Sequence, residues 1–345
     1  MGALIGEALG VGPHWYYDLD EFRREFGDWI TDYTDPRPGR YHAGLRAGQL
    51  SQSGMIAEIL LLSVVEKGGY DEADFCRCLE EKLFSCLDGT PMSGPGGYTS
   101  QSIREAWKRR VVEKKSWQET GGHADTTEAA ERTFILAARY AKDPGRVAIS
   151  SSSNCTLTQA DEAIVAMTTA YSCMVAFAVQ GEKFTEELSD KIMGMVKAGS
   201  LPFHAVTSGK ISPPASGPAP ASRAGQFSSP DALLTPFYMV KAAHDPSIVI
   251  EPAWKVSIVY GMPCAIYHQL PAAYYLASRF ADDYESAVLH AINGGGQNQA
   301  RAMLTGALVG AQVGLSGIPK RFLDGLENSA ELTALALRLG EDAER

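Results

Sequence analysis

The chain has 345 residues, 45% hydrophobic and 21% charged, which supplies a large core and argues against wholesale disorder. Its 41 acidic and 31 basic residues give a formal charge of −10 with no Lys/Arg run, so no nucleic-acid partner is expected. Six cysteines in this length make no disulfide framework, and reduced thiols in a cytoplasmic setting are expected.

The opening MGALIGEALG reads as a helix, not a signal peptide, because no basic stretch precedes an apolar core. A core helix beginning at residue 1 suggests a few further residues upstream. A first polar cluster follows at residues 13–18, PHWYYD, where His14 beside Trp15 reads as a hydrogen-bonded, half-buried histidine. A second spans residues 42–54, HAGLRAGQLSQSG. Ile56, Ile59, Leu60 and Val64 then repeat on one helical face, ending at Lys67 before Gly68 and Gly69. Residues 71–87 form a further predicted helix with Asp71 as N-cap and Asp74 as an acidic third position. Its Cys76, Cys78 and Cys86 lack a zinc spacing.

A Gly/Pro/Ser-rich loop covers residues 88–102, and a third polar cluster, GGHAD, covers 121–125. Asp125 and Glu128 have capping-box spacing and lead toward a predicted helix at 134–140. Cys155 stands just before a long helix at 158–179, as a small buried hydrophobe or as a nucleophile of lowered pKa. Residues 163–181 are uncharged, but Thr168, Thr169, Tyr171, Ser172 and Gln180 suit a buried core helix better than a membrane span. No membrane partner is expected.

Helices are predicted at 186–197, 267–280 and 284–293. Residues 199–231, rich in Pro and Ser, read as a lid or a disordered insertion. Residues 249–259 are the best strand candidate, although Pro252 disfavours a central strand. The fourth polar cluster, residues 293–301, places three glycines before a helix, where free backbone N–H groups favour an anion or polar ligand. Gly306, Gly310 and Gly314 then recur every four residues, as expected where another backbone packs closely. Ile318 and Pro319 end that helix. The expectation is one all-α domain over residues 1–345.

These clusters resemble the ADP-ribosylglycohydrolase family, and more closely its J-type lens-crystallin branch. That family opens with G-D-A-L-G, where this chain has GEALG with Glu7. Its first metal motif, roughly G-x-W-T-D-D-T, matches residues 48–54, and its second, roughly G-G-D-T-D-T, matches residues 295–300. Residues 121–127 stand where the family has a ligand-contacting glycine-rich loop, and Thr158 with Gln159 stands where it usually has Thr-His. The resemblance implies a compact orthogonal multi-helix bundle. It also implies a site that in the family holds paired magnesium or manganese ions. Here the aspartates are replaced by Gln52, Ser53, Gln297 and Gln299. Hard dications usually need carboxylates, so no metal and no cofactor are expected.

In place of the metals, Gln52, Ser53, Gly122, Gln297, Asn298 and Gln299 are candidates for a neutral cradle. It would hold a small polar or nucleotide-like ligand, since amides both donate and accept. Glu7, His42, His123 and Asp125 are the acid–base candidates, with Asp18 nearby. One reading is a metal-independent hydrolase acting on a glycosidic or related bond. The other is a non-catalytic, crystallin-like protein whose site residues satisfy one another.

Overall fold

The computed structural model describes residues 1–201 and 231–344, so the predicted lid at 199–231 lies almost wholly outside the described residues. In chain order the helices are α1 (Gly2–Val11), α2 (Leu19–Phe26), α3 (Gln52–Lys67), α4 (Glu72–Lys82), α5 (Gln101–Trp107), α6 (Ala130–Arg139), α7 (Pro144–Thr156) and α8 (Glu162–Val179). They continue with α9 (Glu186–Lys197), α10 (Asp231–His244), α11 (Val256–Tyr260), α12 (Ile266–Arg279), α13 (Tyr284–Ile292), α14 (Asn298–Val313), α15 (Lys320–Gly325) and α16 (Ser329–Glu344). Among the described residues only isolated bridges interrupt the helices, so the fold is all-α.

Several boundaries follow from local chemistry. Gly68 adopts the left-handed region at φ 69° and closes α3. The Asp71 carboxylate accepts from Asp74 N at 3.0 Å and opens α4. The predicted helix at 71–87 breaks at Leu83, and a 3-10 turn, Phe84–Cys86, completes it.

Three expectations are corrected. The helix predicted at 158–179 starts only at Glu162, because Gly122 N donates to Thr158 O and Ala160 N donates back to Gly122 O. That pairing pulls residues 158–160 out of the helix, and Asp161 caps α8 instead. Residues 249–259 contain no strand; a 3-10 turn, Ala253–Lys255, runs into α11. Asp125 caps no helix, since α6 starts at Ala130 and the Asp125 side chain turns outward.

Glycine decides how α1 packs. Gly2, Gly6 and Gly10 share one face, and that face lies on α14. A Cβ at Gly6 would overlap the Ala302 carbonyl, one at Gly10 would overlap Gln299 Cα, and one at Gly306 would overlap the Gly2 carbonyl. The two backbones therefore touch directly. Gly314 lies outside this contact; it caps α14 at φ 68° with open space around it.

The α8 helix as a whole is long and apolar enough to cross a membrane, but 78% of it is buried inside the protein. It packs on α6, α7 and α14, and Tyr171 Oη donates to Leu304 O at 3.0 Å. This core fixes the ends of α1, α3 and α14 and the loop before α6 around one cavity.

Candidate functional site

The floor of the site comes from the α1–α14 contact. Glu7 is fully buried, and its carboxylate accepts from Ser51 N at 3.0 Å and from Gln299 Nε2 at 2.7 Å. Gln299 Nε2 also donates to Ser51 Oγ at 3.0 Å. Burial pushes the Glu7 carboxyl up to about 7, and the bonds from Ser51 and Gln299 hold it from rising further.

Gln52 begins α3, where Ser51 Oγ accepts from Ser53 N. Its amide nitrogen donates to Pro95 O and Thr99 Oγ1, both at 3.0 Å. Its Oε1 is buried with no hydrogen-bond partner.

Beside it lie two histidines. His14 Nδ1 is 2.7 Å from His42 Nε2, His42 Nδ1 is 2.9 Å from Gly96 O, and His14 Nε2 is 3.1 Å from Gln297 Oε1. Burial lowers both imidazoles, and for His14 the neighbouring His42 adds to the effect. Trp15 holds φ 68°, an uncommon conformation for a bulky residue. It is braced by a bond from its N to Gly296 O and by ring contacts with Tyr41 and Tyr98 at 4.5 and 5.2 Å.

The opposite wall is acidic. Glu128 accepts from Ser102 Oγ at 3.1 Å and from Thr126 Oγ1, and Glu131 accepts from Thr127 Oγ1 at 2.5 Å. Burial raises both carboxyls, and the charge of Glu128 raises Glu131 further. Arg132 is buried next to them, bonded to Asn154 and Thr158. One buried cation beside two raised carboxyls favours one ionised and one protonated acid near neutrality.

Between these walls is a cavity of about 220 Å³, with Trp15 and Tyr98, Arg104, Gln297 and Glu128 on its lining. Aromatic faces, a guanidinium, amides and a carboxyl raised by burial suit a small polar molecule with a planar group.

The expected residues divide. The structure gathers His42, Gln52, Ser53, Gln297 and Gln299 on the cavity, with Glu7 directly behind Gln299. It does not bring the others there. Asn298 Nδ2 ties Pro13 O and Ile292 O together at 3.0 Å each. Gly122 is committed to the Thr158–Ala160 pairing, and a Cβ there would strike the Glu105 carboxylate. His123 and Asp125 are exposed, with the Asp125 carboxylate accepting from Tyr267 Oη at 2.8 Å. Asp18 caps α2.

The glycine-rich turn before α14 is not an open anion cradle. Gly296 N donates to Tyr16 O and Gln297 N to Met262 O. Arg301, fully buried, donates to Ala291 O, Gly295 O and the Gln269 side chain. Cys155 lies in the last turn of α7, and burial pushes its thiol up to about 11, so it is no activated nucleophile.

Sequence reasoning missed Glu131, Tyr98, Arg104 and Cys264, and read Glu128 only as a capping acid. The available signal was the Thr126–Thr127–Glu128 run with Glu131 one turn on: two hydroxyls next to two carboxyls, at helical spacing.

A family model described as ADP-ribosylglycohydrolase matches residues 1–345. A solved structure titled "ADP-ribosylglycohydrolase-related protein complex" is similar in fold, with a TM-score of 0.63 at 17% identity, over 99% of this chain and 96% of that one. No curated protein matches.

Proposed function

The chain belongs to the ADP-ribosylglycohydrolase family, and on that premise we propose a hydrolase-like protein whose cavity takes a small polar, nucleotide-like molecule and cleaves a glycosidic or related bond without metal ions. Family membership supports the hydrolase-like character. The observation that carries the rest is the acid pair, with Glu128 on the cavity wall and both carboxyls raised by burial.

In this reading Glu128 takes up the pair's one proton when a ligand fills the cavity and gives it to the leaving atom as the glycosidic bond breaks. Water then adds to the sugar carbon and returns a proton to Glu128, so the acid is regenerated. Glu131 and Arg132 do not touch the ligand; they set how tightly Glu128 holds its proton. Trp15 and Tyr98 offer stacking faces, and Arg104 a charge for an anionic group.

The positions of the family's metal motifs do not fit paired divalent cations. Gln52 and Gln299 turn amide nitrogens toward Pro95, Thr99, Glu7 and Ser51, and the nearby Glu7 carboxylate is already bonded. Neutral donors at these places supply no charge for a hard cation. This, with the HWYYD stretch, supports placing the chain near the crystallin-like branch. Six free cysteines support a reducing, cytoplasmic setting.

A non-catalytic, crystallin-like role is the second reading, favoured by the closed Glu7–Ser51–Gln299 network. The raised acids and the unpartnered Gln52 Oε1 favour the first. Calorimetry of chelator-treated protein with ADP-ribose, with and without magnesium, separates them. Equal binding in both supports the metal-free pocket, and Glu128→Gln should then bind ligand yet lose turnover of a glycosidic conjugate. Binding only with magnesium overturns the metal-free reading. No binding in either leaves the structural role.

A further inference from the structure

All four ring nitrogens of His14 and His42 are engaged, and the Gly96 carbonyl at one end sets the order of donors along them. A carbonyl oxygen only accepts, so His42 Nδ1 carries hydrogen toward Gly96 O. In a neutral pair, His42 Nε2 is then a lone pair, and His14 Nδ1 must donate to it. That leaves His14 Nε2 as a second lone pair, which cannot face a carbonyl oxygen. Gln297 Oε1 turned toward His14 therefore corresponds to a pair holding one extra proton. A neutral pair requires the Gln297 amide to turn over and donate its NH2 to His14. The two ends of an amide are nearly equal in size, so the turn needs no repacking.

We infer that the His14–His42 pair selects the ligand through Gln297. A neutral pair turns the Gln297 carbonyl oxygen into the cavity and favours ligand groups that donate hydrogen bonds, whereas a pair with one extra proton turns the NH2 inward and favours acceptors. Gln297 is the specificity-determining residue, and the two histidines are positioning residues. The neutral cavity thus suits a ligand group that donates an N–H or O–H to the Gln297 oxygen, such as an amide or a hydroxyl.

The surroundings favour the neutral state at ordinary pH. Tyr41 and Tyr98 pack on Trp15 beside the pair, Arg104, Glu128 and Cys264 line the cavity, and Glu7 lies behind Gln299. Burial and the Arg104 charge oppose an added proton, whereas the Gly96 carbonyl, a Gln297 oxygen turned toward His14 and an ionised Glu128 or Glu7 would support one.

The consequence for ligands rests on the cavity being the ligand site; the link between tautomer and amide does not. The test uses the full chain labelled with nitrogen-15 at histidine, followed by long-range proton–nitrogen correlation spectra from pH 5 to 8. At the alkaline end both His14 and His42 should be Nδ1–H tautomers. A neutral His14 with its hydrogen on Nε2 overturns the inference. Gln297→Glu offers only acceptors to His14 and should raise the pH of proton uptake by the pair by about one unit or more, a tenfold change in affinity; an unmoved midpoint also overturns it. The wild-type tautomers can be read even if that variant does not fold. Absence of ADP-ribose binding would count against the proposed function and leave this tautomer result standing.

Discussion

Replacing Glu7 by Gln should reverse its effect on stability between acid and alkaline pH. The carboxyl is fully buried and held at about 7, against 4.5 for an ordinary glutamate. A folded pKa above the unfolded one means that the folded chain binds the proton more tightly. Its stabilisation is full below about 4.5 and is lost as pH rises through about 7. At about 1.36 kcal/mol per pH unit, the interval corresponds to about 3 kcal/mol. Gln removes this pH-dependent part. It also sets an NH2 close to Gly54, where Glu7 Oε2 sits so near that a Cβ would be 2.9 Å away. That mismatch costs about 1–2 kcal/mol at every pH. Urea unfolding of both proteins at pH 4.5, 6, 7 and 8 should therefore show Glu7→Gln the weaker at pH 4.5 and the stronger at pH 8. A stability difference that does not change with pH, or one that moves against the variant as pH rises, would refute a carboxyl raised by burial.

Other expectations concern packing and the limits of the site. Gly6→Ala, meeting the Ala302 carbonyl, should cost about 3 kcal/mol or more. Gly314→Ala, strained only by its φ, should cost about 1–2 kcal/mol, and thermal unfolding ranks the two. Arg301→Met removes the clamp on Ala291, Gly295 and Gln269; it should cost about 3 kcal/mol or more, with hydrogen exchange quickening first at Gly295 and Gly296. His123→Ala, on the exposed side of the Gly122 turn, should stay within about 0.5 kcal/mol of wild type and leave ADP-ribose affinity unchanged by calorimetry.

Local signals carried much of the architecture. The Asp71 cap, the Gly68 stop and the helix at 186–197 appear where the residues place them, because their causes lie within one turn of chain. Long-range partners decided the rest. Asp125 and Glu128 have capping spacing, yet Thr126 and Thr127 turn their hydroxyls onto Glu128 and Glu131, and Tyr267 takes Asp125 from 142 positions away. The glycines before α14 looked open because nothing nearby reveals that Tyr16 and Met262 use their N–H groups. Of the candidate site, the glutamine row and Glu7 were legible from motif spacing. The Glu128–Glu131 pair was not, since acids one turn apart on a helix usually face water.

The backbone contact between α1 and α14 also bears on how the chain reaches its native state. Glu7 and Gln299 are 292 positions apart, so forming that bond closes a loop costing on the order of 5 kcal/mol in chain entropy. During synthesis at about 5–20 residues per second, α1 leaves the ribosome on the order of 15–60 s before α14 follows. Throughout that interval a ten-residue apolar helix, buried along its whole length in the finished protein, lacks its main native partner. The cavity is thus assembled last, and nascent chains stopped short of residue 298 should depend on chaperones to stay in solution.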